Sequence, residues 1–212
     1  MDMHTFFRNK DLAGLSLALS ENPALANEEL ACHDGNPAKA HPLHRICDGV
    51  IGGIYTDEDA VEMAKVFVKY GARVDGNQLL PNRDSPLVAA ASLHAEKTGI
   101  LYIEHGATID HPGCHGGTAL HWAAWTGRHK LVEKLIEAKA PINKLCVEFK
   151  STPLLWALHG YRFGGRDNRH HQITCARLLL EAGADKTIPN FEGYLPIQFV
   201  EEEESELKAL LV

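Results

Sequence analysis

Thirteen histidines and five cysteines in 212 residues raise metal and nucleophile chemistry first. The densest group is His111-Pro-Gly-Cys114-His115, and a looser one is Cys32, His33, His41 and His44. Thiolate and imidazole together suit zinc. A zinc site, however, is built from two close pairs at a set separation, and neither group supplies a Cys-x-x-Cys. Nucleophilic catalysis needs a thiol or hydroxyl beside an oriented base. Cys146 and Cys175 share their part of the chain with His159 and His171, but no spacing brings either pair together. The chain has no Gly-rich phosphate loop, no nucleophile elbow and no His-Glu-x-x-His. The residues therefore predict no enzyme, no catalytic residue, no metal and no cofactor. A metal-binding or enzymatic protein using the His/Cys-rich turns is the alternative reading.

The elements that would position these residues are announced by a repeated phrase. It reads Ala40-His-Pro-Leu-His44, Asp84-Ser-Pro-Leu-Val88, Gly117-Thr-Ala-Leu-His121 and Ser151-Thr-Pro-Leu-Leu155, with a worn copy at Tyr194-Leu-Pro-Ile-Gln198. The central apolar residues, Leu43, Leu87, Leu120, Leu154 and Ile197, are 44, 33, 34 and 43 residues apart. Each of the first four copies runs into an apolar helical stretch and then Gly-Ala or a near match, at Gly71, Gly106, Lys139 and Gly183. Thr118 and Thr152 stand where a helix begins, so their hydroxyls can cap free backbone N–H groups. Pro86 and Pro153 suit a first turn, where a missing N–H costs nothing. Leu131, Val132, Leu135 and Ile136 recur at helical spacing as an inner stripe. Glycine after the stripe tolerates the left-handed conformation that closes a helix.

The copy from Gly117 to Asn143 resembles the ankyrin-repeat family, and a period of about 33 residues is that family's own. It departs at Ala119, where the family has Pro, and at Lys139, where it has Gly. The resemblance covers the chain from about Thr5 to the C-terminus and implies an all-α ankyrin-repeat solenoid. About six helix-turn-helix repeats are expected in a single domain spanning 1–212. Their approximate bounds are 1–35, 36–78, 79–112, 113–146, 147–189 and 190–212, the first and last being caps with a polar outer face. The family also implies that His44 and His121 bond neighbouring backbone, and that the turn holding His111, Cys114 and His115 is an exposed finger.

The departures carry the individual information. The two long gaps arise between the first and second helix of repeats two and five, where extended loops are expected. The first insertion, Asp48 to Asp59, is glycine-rich, and Thr56-Asp-Glu-Asp59 is placed to cap a helix from Ala60 to Tyr70. The second, Tyr161 to His171, is basic and aromatic. Loops lengthened at a repeated position line binding faces in repeat proteins, and Arg with aromatic residues anchors protein interfaces. A tolerated surface insertion remains the plainer alternative, since lengthening a loop costs little. Trp122 and Trp156 share one place in the repeat, half-buried between first helices. Trp125 falls on the concave helical surface that the resemblance implies, with His159 as its counterpart in the next copy and Asp48 and Ser92 in earlier ones.

The expected function is a non-enzymatic protein-interaction module or scaffold. Its expected binding site is Trp125, His159, Tyr161, Arg162, Phe163 and Arg166, favouring an acidic or mixed-charge patch on a protein partner. A net charge of −7 argues against nucleic acid, which needs a basic footprint. No apolar run approaches the ~20 residues of a membrane span, and the N-terminus lacks a signal-peptide core. Five scattered cysteines form no disulfide framework. A cytoplasmic monomer is the expected state.

Overall fold

The computed structural model describes residues 2–32, 38–164, 169–201 and 204–212, the Glu206 side chain excepted. Eleven α-helices account for most of these residues. They fall into two compact units, Met1–Leu80 with Ser85–Thr108, and Pro81–Asp84 with Ile109–Val212.

The first unit contains α1 (Met3–Asn9), α2 (Leu12–Glu21), α3 (Pro42–Ile51), α4 (Asp57–Lys69), α5 (Pro86–Ser92) and α6 (Glu96–Glu104). Between α2 and α3 the chain makes a two-residue antiparallel ladder, Leu30–Ala31 with Lys39–Ala40, which the sequence had not announced. The second unit contains α7 (Ala119–Thr126), α8 (His129–Glu137), α9 (Pro153–Phe163), α10 (Arg169–Glu181) and α11 (Ser205–Leu211), with a 3-10 turn at Pro196–Phe199. Helix-turn-helix repeats are thus the building block of both units.

The phrase starts each first helix as its chemistry requires. Ser85 Oγ accepts the Val88 N–H at 3.3 Å, and Thr152 Oγ1 accepts the Leu155 N–H at 3.3 Å. Proline follows at once in both cases. In the second copy His41 takes the cap position, and its Nδ1 accepts the Leu43 N–H at 3.3 Å. The inner stripe of α8, Leu131, Val132 and Leu135, is fully buried. Its neighbour Ile136 is only half-buried. Lys139 closes α8 at φ 65, where the other copies place glycine, so a lysine carries the strained left-handed turn here.

A second recurrence ties copies together. Asn27 Nδ2 donates to Gly71 O at 2.9 Å while its Oδ1 accepts the Arg73 N–H at 2.8 Å. Asn143 repeats this on Gly183 O and the Asp185 N–H, at 3.3 and 2.8 Å.

The insertions are shared between helix and connection. In the regular fourth copy the two helices have 8 and 9 residues. In the fifth they have 11 and 13, with residues 164–168 between them, and in the second 10 and 13, with residues 52–56 between them. More than half of the added length therefore enters the helices rather than a loop. α4 begins at Asp57, earlier than the sequence suggests, because Thr56 and Asp59 close a reciprocal cap: Asp59 Oδ2 accepts the Thr56 N–H at 3.0 Å and Thr56 Oγ1 accepts the Asp59 N–H at 3.2 Å.

Candidate protein-binding groove

The second unit holds an open groove of about 790 Å³. α7 presents Trp122 and Trp125 three residues apart, on one face. α9 presents Trp156 and His159 with the same spacing. The two helices meet closely: a Cβ at Gly160 would lie 2.3 Å from the Trp125 carbonyl oxygen, so only glycine permits the approach. That same carbonyl accepts from Gln172 Nε2 at 3.2 Å, which adds α10 to the contact. The rings then interlock. Trp122 stands edge-on to Trp156 with centroids 5.0 Å apart, and Trp125 stands edge-on to Trp156 at 6.2 Å. Trp125 stacks on His159 at 4.7 Å and 26°, and Phe163 continues the row 4.5 Å beyond His159.

Aromatic residues outside these helices extend the lining. His115 and Phe149, from successive turns, lie 5.5 Å apart, and Phe191 follows Phe149 at 6.4 Å. Phe199 approaches His159 at 6.0 Å, and Tyr194 meets Phe199 at 6.3 Å. Several of these rings face solvent: Phe163 is 60% exposed, Phe191 62% and Tyr194 48%. Isolated exposed rings are ordinary on a protein surface, but a contiguous exposed apolar patch marks a site.

The terminal segment, which adds Phe191, Tyr194 and Phe199 to this lining, is latched to α9 and α10. Arg162 Nη1 donates to Gln198 O at 3.1 Å. Arg169 grips Glu201 with two hydrogen bonds of 2.8 and 3.2 Å, and its guanidinium lies over the Tyr161 ring at 4.9 Å.

Two polar atoms of the lining, Trp122 Nε1 and His159 Nδ1, are buried without a hydrogen-bond partner among the described residues. Burial also lowers the His159 pKa, against the opposing pull of Glu192.

Of the residues expected to bind a partner, Trp125, His159, Arg162 and Phe163 line the groove. Tyr161 does not. It is wholly buried, because α9 turns that position inward, and its hydroxyl sits 3.4 Å from Glu201. Arg166 lies outside the described residues. Phe149, Phe191, Tyr194 and Phe199 join the lining unexpectedly. Phe199 was within reach, since it stands two residues after Ile197 just as Trp122 and Trp156 stand two after Leu120 and Leu154. Phe149 and His115 likewise share one place, five residues before the phrase leucine. Gly160 was visible as a lone glycine inside a helical pattern.

The histidine and cysteine groups resolve differently. His111 is buried rather than exposed on a finger, with Nε2 2.8 Å from Arg83 O. Cys114 is exposed, and desolvation with nearby Asp84 raises its thiol pKa. His115 pairs with Glu148. Among the described residues no three of His, Cys, Asp and Glu gather where they could hold a metal ion; His33 lies outside those residues. Cys146 Sγ accepts the Ser151 N–H at 3.5 Å, and Cys175 Sγ faces the Ala123 carbonyl, so both thiols are packed into backbone. His121 is structural: Nδ1 accepts the Thr118 N–H at 3.1 Å, and Nε2 lies 3.0 and 3.2 Å from the carbonyls of Lys144 and Ser151. His44 stands 3.9 Å from Asp48, while His41 reaches backbone in that copy.

Residues 54–146 match the family model for ankyrin repeats, in three copies. This chain carries ankyrin repeats. Human palmitoyltransferase ZDHHC13 is 31% identical to it over 142 residues, covering 62% of this chain and 21% of the relative. The mouse ZDHHC13 is 34% identical over 95 residues, 45% of this chain and 14% of the relative. Palmitoyltransferase Hip14 of Drosophila melanogaster is 31% identical over 91 residues, 43% and 13% respectively. The chain thus matches about a fifth or less of these relatives. The matched stretch takes in the second helix of the second copy and the two regular copies that follow. Most of the groove lining, from Phe149 to Phe199, comes from the two copies beyond it.

Proposed function

We propose that this ankyrin-repeat chain is a non-enzymatic, cytoplasmic interaction module that holds a segment of a protein partner in the aromatic groove of its second unit. The carrying observation is the convergence of all three tryptophans of the chain on that groove, with four phenylalanines and a tyrosine. Aromatic side chains give large contact area at low entropic cost and dominate the energetics of protein interfaces. Among the described residues all five cysteines are free, which suits a reducing compartment. No described helix is long and apolar enough to cross a membrane. The palmitoyl transfer named in the relatives is carried over to this chain in no step, because the match falls in their repeat region.

The test is selection of peptides from a random phage-displayed library on the full chain. Selected peptides are expected to bind Trp125→Ala about ten-fold or more weaker, as for an interface anchor, with the far-UV helix signal unchanged. Peptides that bind the variant as tightly as the parent would end this reading.

A further inference from the structure

Charge decides what the aromatic groove favours. Ring faces carry negative potential and attract cations while repelling anions. Within the groove Arg162 stands over Phe163, and among the described residues no cation stands over Trp122, Trp125 or Trp156. Arg162 is engaged: its guanidinium lies 5.6 Å from the Phe163 ring centre and donates to Gln198 O. The groove therefore already accommodates one guanidinium, against a ring face and a carbonyl.

The anionic partner is also present. Glu192 lines the groove, is exposed, and joins no ion pair among the described residues. Its backbone N–H is held by Asn190 Oδ1 at 3.1 Å, which fixes the turn and leaves the carboxylate to solvent. Residues 190–212, which supply Phe191, Tyr194 and Phe199, contain six acidic residues and one basic residue. That field draws cations toward this end of the second unit. The acidic or mixed-charge patch expected from the arginines of the second insertion would meet Glu192 and ring faces as well as the engaged Arg162.

We infer that the groove takes a lysine or arginine side chain projected by the partner segment, its cation against the half-buried rings of Trp122 and Trp125 and its charge balanced by Glu192. This rests on the groove reading above and adds the chemistry of the anchor. Trp125 is half-buried, and it stacks on the His159 imidazole, whose pKa burial lowers. The alkyl stem of either side chain suits the surrounding phenylalanines.

Because all three tryptophans line the groove, intrinsic fluorescence of the full chain reports on it directly. The probes are N-acetyl-arginine amide against N-acetyl-citrulline amide, and N-acetyl-lysine amide against N-acetyl-norleucine amide. Each pair differs in charge with little change of shape. Saturable titrations are expected to favour the charged member by about five-fold, the scale of a partly desolvated cation–π contact. Glu192→Gln is expected to reduce that ratio by about three-fold, as is raising NaCl to about 0.5 M. Equal binding within a pair, or a ratio indifferent to Glu192→Gln, overturns the cationic anchor. If the neutral members bind and Trp125→Ala abolishes their binding, the groove reading survives and only the anchor is lost. Absence of binding by every probe overturns the anchor, and the peptide selection then judges the groove. Tighter binding of choline than of either charged amide would transfer the site to a free quaternary amine and also overturn it.

Discussion

His121 shows how a residue that invites a catalytic reading is used up by structure. Its ring is enclosed, with one nitrogen accepting from backbone and the other donating to two carbonyls. Burial, the main cause, lowers its pKa to about 4, and nearby Lys144 adds to the effect while the two carbonyls oppose it. A proton on Nδ1 would also face the Thr118 N–H. The unfolded histidine titrates near 6.5. Between these values the unfolded chain binds a proton that the folded chain refuses, so stability rises with pH through the window and is lost on acidification. Acidifying from pH 7 to 5 is expected to cost about 2 kcal/mol through this residue alone. Urea unfolding followed by tryptophan fluorescence reads the second unit, where His121 sits. His121→Gln should be less stable at pH 7 and should flatten the acid slope. An unchanged slope would assign the acid sensitivity elsewhere.

At the scale of elements, α7 and α9 make the site because they touch at Gly160. An added methyl would meet the Trp125 carbonyl at 2.3 Å, and a backbone oxygen cannot swing aside. Gly160→Ala should therefore destabilise by about 1–3 kcal/mol, the usual cost of overpacking, and should shift the near-UV tryptophan signal as the Trp125–His159 stack opens. A melting temperature and near-UV spectrum equal to the parent's would refute the close approach. This contact also measures what the sequence discloses. Helix starts, inner stripes and closing glycines were legible, because each follows from a local rule about caps or periodicity. Trp125 and His159 were paired by register, since counterpart residues of successive copies become neighbours. Tyr161 was misassigned because a lengthened helix, rather than a loop, rotates it inward. Phe191 and Tyr194 belong to the turn of the worn last copy, where no period says which way a side chain faces.

At the scale of the whole molecule, the groove is confined to the second unit, and its outer wall belongs to the terminal copy. That copy has short helices and a strongly acidic sequence, so its own packing is a weak hold. The latch compensates: Arg169 grips Glu201 through both carboxylate oxygens while covering Tyr161, and Arg162 holds the Gln198 carbonyl one turn earlier. A bidentate arginine fixes orientation better than a point charge can. Arg169→Met keeps the aliphatic cover on Tyr161 and removes the grip. Phe199 and Tyr194 should then lose their fixed positions, and library-selected peptides should bind about three- to ten-fold weaker, mainly through faster dissociation. Far-UV helix content should hold, because only α11 depends on the terminal segment. Affinity and dissociation rate measured by surface plasmon resonance decide the matter. Parent-like dissociation from the variant would mean that the terminal copy keeps its place without the latch.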